Sequence, residues 1–364
     1  MGWLCGRKSA PRVGERQTGD KSIKFRWFMK KNTSYILILV VVGLLLITVF
    51  MVSKLGSPAA QPTATNASLI QVRLPVGYIP NIQFAPIYVA IEKGFFRAEG
   101  LDVTIDYSME NDNTVLTGSG DLQFAVVSGE QVMLARAQQI PVVYVMAWYQ
   151  EYPVGIVAKT GAGIETVADL RGRKIGLPGL YGASYIGAIA LLDSAGLKEA
   201  DVKLESIGFT QVESLVADRV DAAVIYVANE PVQLARMGVD TVLLPVSGAV
   251  DLASNGIITN EKTLAENPEL VRSMVDALLK GLDYTTSHPE EAFEISKKYV
   301  DNLAEADQEV QMQVLLNSIK LWQGERMGYS QPQAWENMQR ILLQMGLMEK
   351  EIDLSQAFDN QFIP

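Results

Sequence analysis

A chain of 364 residues, 48% hydrophobic and 20% charged, is large enough for two or three folded units and too apolar to be disordered. Its one cysteine, Cys5, and one histidine, His288, exclude an intrachain disulfide and a Cys/His zinc site. The net charge of −10 is unevenly distributed: nine Lys or Arg against Glu15 and Asp20 before residue 35 give about +7, so the rest carries about −17, a body that repels phosphate backbones and excludes nucleic acid as a partner.

Residues 1–34 therefore read as a basic cytoplasmic tail. Residues 35–52 form an uncharged apolar run of 18 positions interrupted only by Gly43 and Thr48. At ~1.5 Å per residue the run reaches about 27 Å, nearly the hydrocarbon thickness of a bilayer. A cleaved signal peptide is the alternative, but its apolar region is normally shorter, about 7 to 15 residues, and closes on a small-x-small site. Here Ser57-Pro58-Ala59 and Thr65-Asn66-Ala67 match such a site imperfectly. Lys30 and Lys31 abut the run, so the positive-inside rule keeps the tail in the cytoplasm and exports the residues beyond position 52. Residues 53–68, with Pro58, Pro62 and several Ala, Thr and Ser, have the composition of a linker.

From residue 69 onward β-rich runs alternate with helical patterns. Strands are expected at 72–75, 103–107, 124–127, 142–147, 156–158, 174–177, 203–206 and 222–226, and helices at 84–95, 132–138, 185–194, 212–217, 232–237 and 268–285. The alternation predicts an α/β fold of parallel sheets covered by helices. After 257–259 the chain turns helical, with starts at Pro268, Pro289 and Pro332. Ala292, Phe293, Ile295 and Ser296, like Leu315, Leu316, Ile319 and Leu321, read as core contacts, and His288 as part of an interhelical turn.

In open α/β sheets ligands bind beyond the carboxyl ends of the strands. Four segments there carry chemistry. Residues 76–84 present Tyr78, Asn81, Gln83 and Phe84; 126–131 present Ser128 and Glu130; 176–185 put a glycine-rich turn with Tyr181, Ser184 and Tyr185 ahead of a helix; 226–231 present Tyr226, Asn229 and Glu230. Trp148 and Tyr149 stand at a fifth strand end. Each has a plainer reading. The glycine turn can be tight geometry alone, since it lacks both the P-loop and the dinucleotide glycine patterns. Asn229 and Glu230 can cap a helix, and Trp148 and Tyr149 can pack between lobes. Taken together, aromatics that stack and amides and acids that read edges imply a flat, polar heterocycle as ligand.

Four stretches then carry a resemblance: 77–90 (GYIPNIQFAPIYVA), 92–103 (EKGFFRAEGLDV), 169–176 (DLRGRKIG) and 220–223 (VDAA). From residue 69 to the end the chain resembles substrate-binding proteins of ABC importers, in the branch shared with sulfonate, nitrate and thiamine-pyrimidine binders and with fungal pyrimidine-precursor synthases. The resemblance implies a two-lobed periplasmic-binding-protein-like fold of type II, with 69–157 and 247–364 as one lobe and 158–246 as the other, and no catalysis, cofactor or metal. It implies a permease and an ATPase subunit as partners. Thiamine-pyrimidine binders usually carry Trp where Ile79 stands and His near Gln83-Phe84, and the synthases need a cysteine-rich motif and a histidine that this chain lacks. Riboflavin-binding members look more similar, through the YIPNxQFAP, SGEQ, WY and YGAS stretches. A thiamine aminopyrimidine is the alternative ligand. For riboflavin, Tyr78, Trp148, Tyr181 and Tyr226 are expected to sandwich the rings, with Asn81, Gln83, Asn229, Glu130 and Glu230 reading ring edges and ribityl hydroxyls.

An anchored protein is expected to stay with membranes through a high-salt wash, which screens charge without extracting a spanning helix. Release of a mature chain beginning after Ala59 or Ala67 would identify the apolar run as a cleaved signal instead.

Overall fold

A computed structural model describes residues 68–77 and 79–364. The expected tail, apolar run and linker lie outside these, as does Tyr78. Among the described residues no helix is long and apolar enough to cross a membrane.

The elements run, in chain order, β1 (Ile70–Val76), α1 (Ala85–Glu92), α2 (Phe95–Ala98), β2 (Leu101–Tyr107), α3 (Glu110–Ser119), β3 (Ala125–Val127), α4 (Gly129–Ala137), β4 (Val142–Ala147) and β5 (Val154–Lys159). There follow β6 (Lys174–Leu177), α5 (Gly182–Ser194), β7 (Lys203–Ser206), α6 (Gln211–Val216), β8 (Ala222–Tyr226), α7 (Glu230–Arg236), β9 (Thr241–Pro245) and β10 (Gly256–Asn260). Five helices close the chain: α8 (Glu261–Glu266), α9 (Pro268–Ser287), α10 (Pro289–Ser296), α11 (Gln308–Trp322) and α12 (Pro332–Gln344).

Two five-stranded sheets result, in the orders β2-β1-β3-β10-β4 and β7-β6-β8-β5-β9. The expectation of parallel sheets needs correction, since both are mixed. β10 runs against β3 and β4, and β5 runs against β8 and β9. The reason is topological. β4 ends at the gap between the sheets, so β5, entered directly from it through 148–153, must run away from that gap. β10, entered from β9 through 246–255, does the same in the other direction. Because β5 joins the second sheet from Val154, the change of sheet falls before the expected boundary at 157/158.

β10 and the terminal strand β4 beside it are buried along their whole length, as strands covered on both faces must be. The outer edge of β4 is closed by the chain's own end: Tyr144 donates its N–H to Ala357 O (2.9 Å) and Ala147 donates to Gly328 O (2.8 Å), so no open edge is left there. On α9, Val271, Met274, Val275, Leu278 and Leu282 form a buried stripe at helical spacing. On α12, Trp335, Met338, Ile341 and Leu342 enter a core shared by strands of both sheets. His288 lies between α9 and α10, stacked on Tyr284 at 4.3 Å.

Three expected helices start earlier than their apolar period suggests: α4 at Gly129, α5 at Gly182 and α7 at Glu230. Their first turns are polar, and apolar periodicity begins only after them. The helix expected at 84–95 is divided, because Gly94 takes a left-handed φ of 72° that ends α1's run and starts α2. α3 has too polar a sequence to show any period.

Where the second crossing meets the first sheet, a Cβ on Gly256 would stand 2.2 Å from Met146 O and 2.1 Å from Tyr144 Oη. Gly256→Ala is therefore expected to cost about 1 to 3 kcal/mol, as overpacking of a tight site does, seen as a lower urea midpoint at unchanged m-value.

Candidate functional site

The gap between the sheets is bordered by the carboxyl ends of the parallel strands and the amino ends of β5 and β10. Its floor is a chain of hydrogen bonds built on Ser128, the residue between β3 and α4. The Ser128 N–H donates to Glu110 Oε2 (3.0 Å), and Ser128 Oγ lies 2.6 Å from the same oxygen while also bonding Glu130 Oε1. Although it precedes a helix, Ser128 does not cap it. A serine hydroxyl has one hydrogen and cannot serve two ionised carboxylates. One acid must hold a proton, donating to Ser128 Oγ while Ser128 donates to the other. Glu130 is the fully buried one, and burial together with the neighbouring Glu110 carboxylate pushes it up to about 7. Glu110 is raised by burial as well, against two hydrogen bonds from Ser128 that hold it down. The pair shares one proton at neutral pH.

Glu110 leads to the second crossing. Asn255 Nδ2 donates to Glu110 Oε1 (3.3 Å), and Tyr226 Oη donates to Asn255 Oδ1 (3.3 Å). The backbone carbonyl of Asn255 accepts the N–H groups of Trp148 (3.0 Å) and Tyr149 (3.2 Å) from the first crossing. The two crossings meet again where Ser247 Oγ donates to Glu151 Oε2 (2.9 Å). At the end of β8, Glu230 accepts the Tyr226 N–H (3.0 Å) and Asn229 Nδ2 (3.3 Å), and burial pushes it up to about 7. Asn229 does not cap α7; its Oδ1 accepts from Gln233 Nε2 at 3.0 Å. The Tyr226 hydroxyl is raised well above its ordinary value by burial and by the carboxylates of Glu110, Glu130 and Glu230.

Beside this chain lies an aromatic cluster. Phe84 meets the edge of Trp148 at 6.0 Å, Trp148 meets Trp322 at 6.3 Å, and Tyr149 meets Trp322 at 6.1 Å. Gln83 Nε2 donates to Tyr149 Oη (3.4 Å), and Asn81 Oδ1 accepts the Gln83 N–H (2.9 Å), fixing the turn before α1. Trp148 is only 2% exposed, so it is packed into the first lobe's core. Among the described residues, four of the five buried side-chain polar atoms without a protein partner belong here or next to Asn255: Glu130 Oε2, Trp148 Nε1, Trp322 Nε1 and Ser254 Oγ. No group of His, Cys, Asp or Glu among the described residues is arranged to hold a metal.

Ser128, Glu130, Tyr149 and Tyr226 are thus joined through Asn255 and Glu110, with Gln83, Phe84, Trp148, Asn229 and Glu230 attached to them. Asn81 stands one turn away. The glycine-rich turn behaves differently. Tyr181 is 59% exposed just before α5, Ser184 is half-buried in its first turn, and the Tyr185 hydroxyl is taken by Glu199 Oε2 at 2.8 Å. Sequence reading missed Glu110, Asn255 and Trp322. Glu110 also follows a strand end and was open to the same rule; Asn255 precedes an antiparallel strand, which that rule passes over.

Residues 81–292 match the family model described as NMT1/THI5 like. The chain is 41% identical to the riboflavin-binding protein RibY of Chloroflexus aurantiacus, over 90% of this chain and 97% of that one. It is 28% identical to the formylaminopyrimidine-binding protein of Halalkalibacterium halodurans, over 88% and 98%. It shares its fold with the periplasmic aliphatic sulphonate binding protein SsuA of Escherichia coli, at a TM-score of 0.65 and 14% identity over 80% and 97% of the two chains.

Glu130 and Glu230 hold protons in the native state that the unfolded chain, titrating near 4.5, gives up. Their folded forms are therefore favoured at low pH, and stability falls as pH rises through about 7. The melting temperature is expected to drop between pH 5 and pH 8. Glu130→Gln, which keeps a donor for Ser128, should flatten that slope and raise stability at pH 8 by about 1 to 3 kcal/mol; an unaltered slope would mean that Glu130 is ionised throughout.

Proposed function

The chain belongs to the NMT1/THI5-like family, and from that premise we propose that it is the solute-binding component of an ABC-type importer, working outside the cytoplasm. It captures riboflavin between two lobes, one built on each sheet and joined through 148–153 and 246–255, and delivers it to a permease coupled to an ATPase. The apolar run at 35–52 serves as its tether.

The observation that carries this reading is the 41% identity to RibY across almost the whole of both chains. The site supports it chemically. The isoalloxazine edge presents a ring N–H beside carbonyl acceptors. Glu130 Oε2, buried beside Glu110 and without a protein partner, is an acceptor for such a ring N–H. Tyr226 from one lobe and Tyr149 from the connection supply aromatic surface, and the exposed Tyr181 is free to cover a ring from the second lobe. A binding protein returns its ligand chemically unchanged, and turnover by the purified protein would argue for an enzyme instead.

Titration with riboflavin is expected to quench tryptophan and flavin fluorescence together and to saturate, with a rise in melting temperature by mass action. Absence of a flavin signal, with tight calorimetric binding of an aminopyrimidine, would transfer the assignment to the thiamine precursor. Tyr226→Ala is expected to weaken binding by about 1 to 3 kcal/mol if the ring stacks, by analogy with base stacking. Trp148→Ala is expected to act on the fold first, losing about 3 to 5 kcal/mol of stability.

A further inference from the structure

Among the described residues eight segments, each with the first turn of any adjoining helix, border the gap between the sheets: 79–84, 108–113, 128–132, 148–153, 178–185, 207–214, 227–233 and 246–255. They contain Glu110, Asp112, Glu130, Glu151, Glu213, Glu230 and Asp251, and no Lys or Arg. The nearby cations serve elsewhere: Arg136 pairs with Glu261, Lys174 with Glu205, and Arg236 with Asp307.

A second observation concerns the helix ends. A helix N-terminus is where an incoming anion would find unpaired N–H groups and a favourable dipole. Here α3, α4, α6 and α7 carry Glu110, Glu130, Glu213 and Glu230 in their first turns. The protein's own carboxylates occupy the electrostatic positions that a bound anion would need. Glu130 Oε2, in a side chain fully buried in this floor, has no protein partner and no cation near enough to pair with it.

We infer that this cleft selects for the absence of a phosphate: it accepts the uncharged, hydroxyl-bearing form of its ligand and rejects the phosphate ester of the same molecule. A phosphate monoester brings about −1.5 to −2 charges at neutral pH. In this cleft it would meet several carboxylates and no cation. The inference rests on the riboflavin reading for the choice of ligand, but the charge rule itself does not depend on it. It also sets a place in a sequence of reactions, since a phosphorylated flavin outside the cell must first lose its phosphate by hydrolysis before this protein can take it.

The test is a parallel titration of the purified full-length chain with riboflavin and with flavin mononucleotide, read by flavin fluorescence at pH 7.5. Riboflavin is expected to bind at least 100-fold more tightly, and Glu230→Gln, which removes an acid that ionises as pH rises through about 7 and keeps an acceptor, is expected to narrow that ratio. Equal affinities within about threefold would overturn the charge rule and leave the riboflavin reading standing. If neither flavin binds, the riboflavin reading fails, and the same comparison is made by calorimetry between hydroxymethyl-aminopyrimidine and its phosphate. A 100-fold preference for the unphosphorylated form then sustains the rule, and parity overturns it.

Discussion

Asn255 is where the two crossings and the two lobes are tied together. Its carbonyl oxygen takes two backbone N–H groups from the first crossing, using both lone pairs, while its side-chain amide bridges Tyr226 at the end of β8 and Glu110 at the start of α3. The backbone bonds, at 3.0 and 3.2 Å, keep the two connecting strands side by side. The side-chain bonds, both at 3.3 Å, are the longer pair and join groups carried by different lobes.

The same residue couples the two connecting segments to the buried acids. Glu110 is held by Asn255 on one oxygen and by Ser128 on the other, and Ser128 passes that bond on to Glu130. In water two such carboxylates would both ionise near pH 4.5; taken out of water and set around one hydroxyl, they keep a proton between them. That proton is spent within the cluster, so Glu130 Oε2, the carboxyl oxygen left without a protein partner, is an acceptor.

Much of this was legible in the sequence. The alternation of short β-rich runs with helical patterns located eight of the ten strands, and the rule that ligands gather beyond strand ends found Gln83, Ser128, Glu130, Tyr226, Asn229 and Glu230. What the rule could not see was direction. An antiparallel strand presents its amino end to the site, so Asn255, which comes before β10, carries no signal in a search of segments that come after strands. α3 was invisible for another reason: its residues are polar almost throughout, and its place is set by Glu110 reaching Ser128 and Asn255. The helix starts that precede the apolar period have the same origin. Glu130 and Glu230 lie within first turns whose polarity hides the helix from a periodicity argument.

The strand order of the first sheet has a consequence for biogenesis. β3 and β4 are neighbours in sequence but do not touch; β10, arriving more than a hundred residues later, is inserted between them and bonds both. Until residues 256–260 have been delivered, that sheet lacks its middle and its two halves have nothing to pair with. Forming it requires closing a long loop, which is slow and comes late. A chain exported as proposed, amino end first, would present an incomplete first sheet until residues 256–260 had passed, and the order of strands would delay its folding until then.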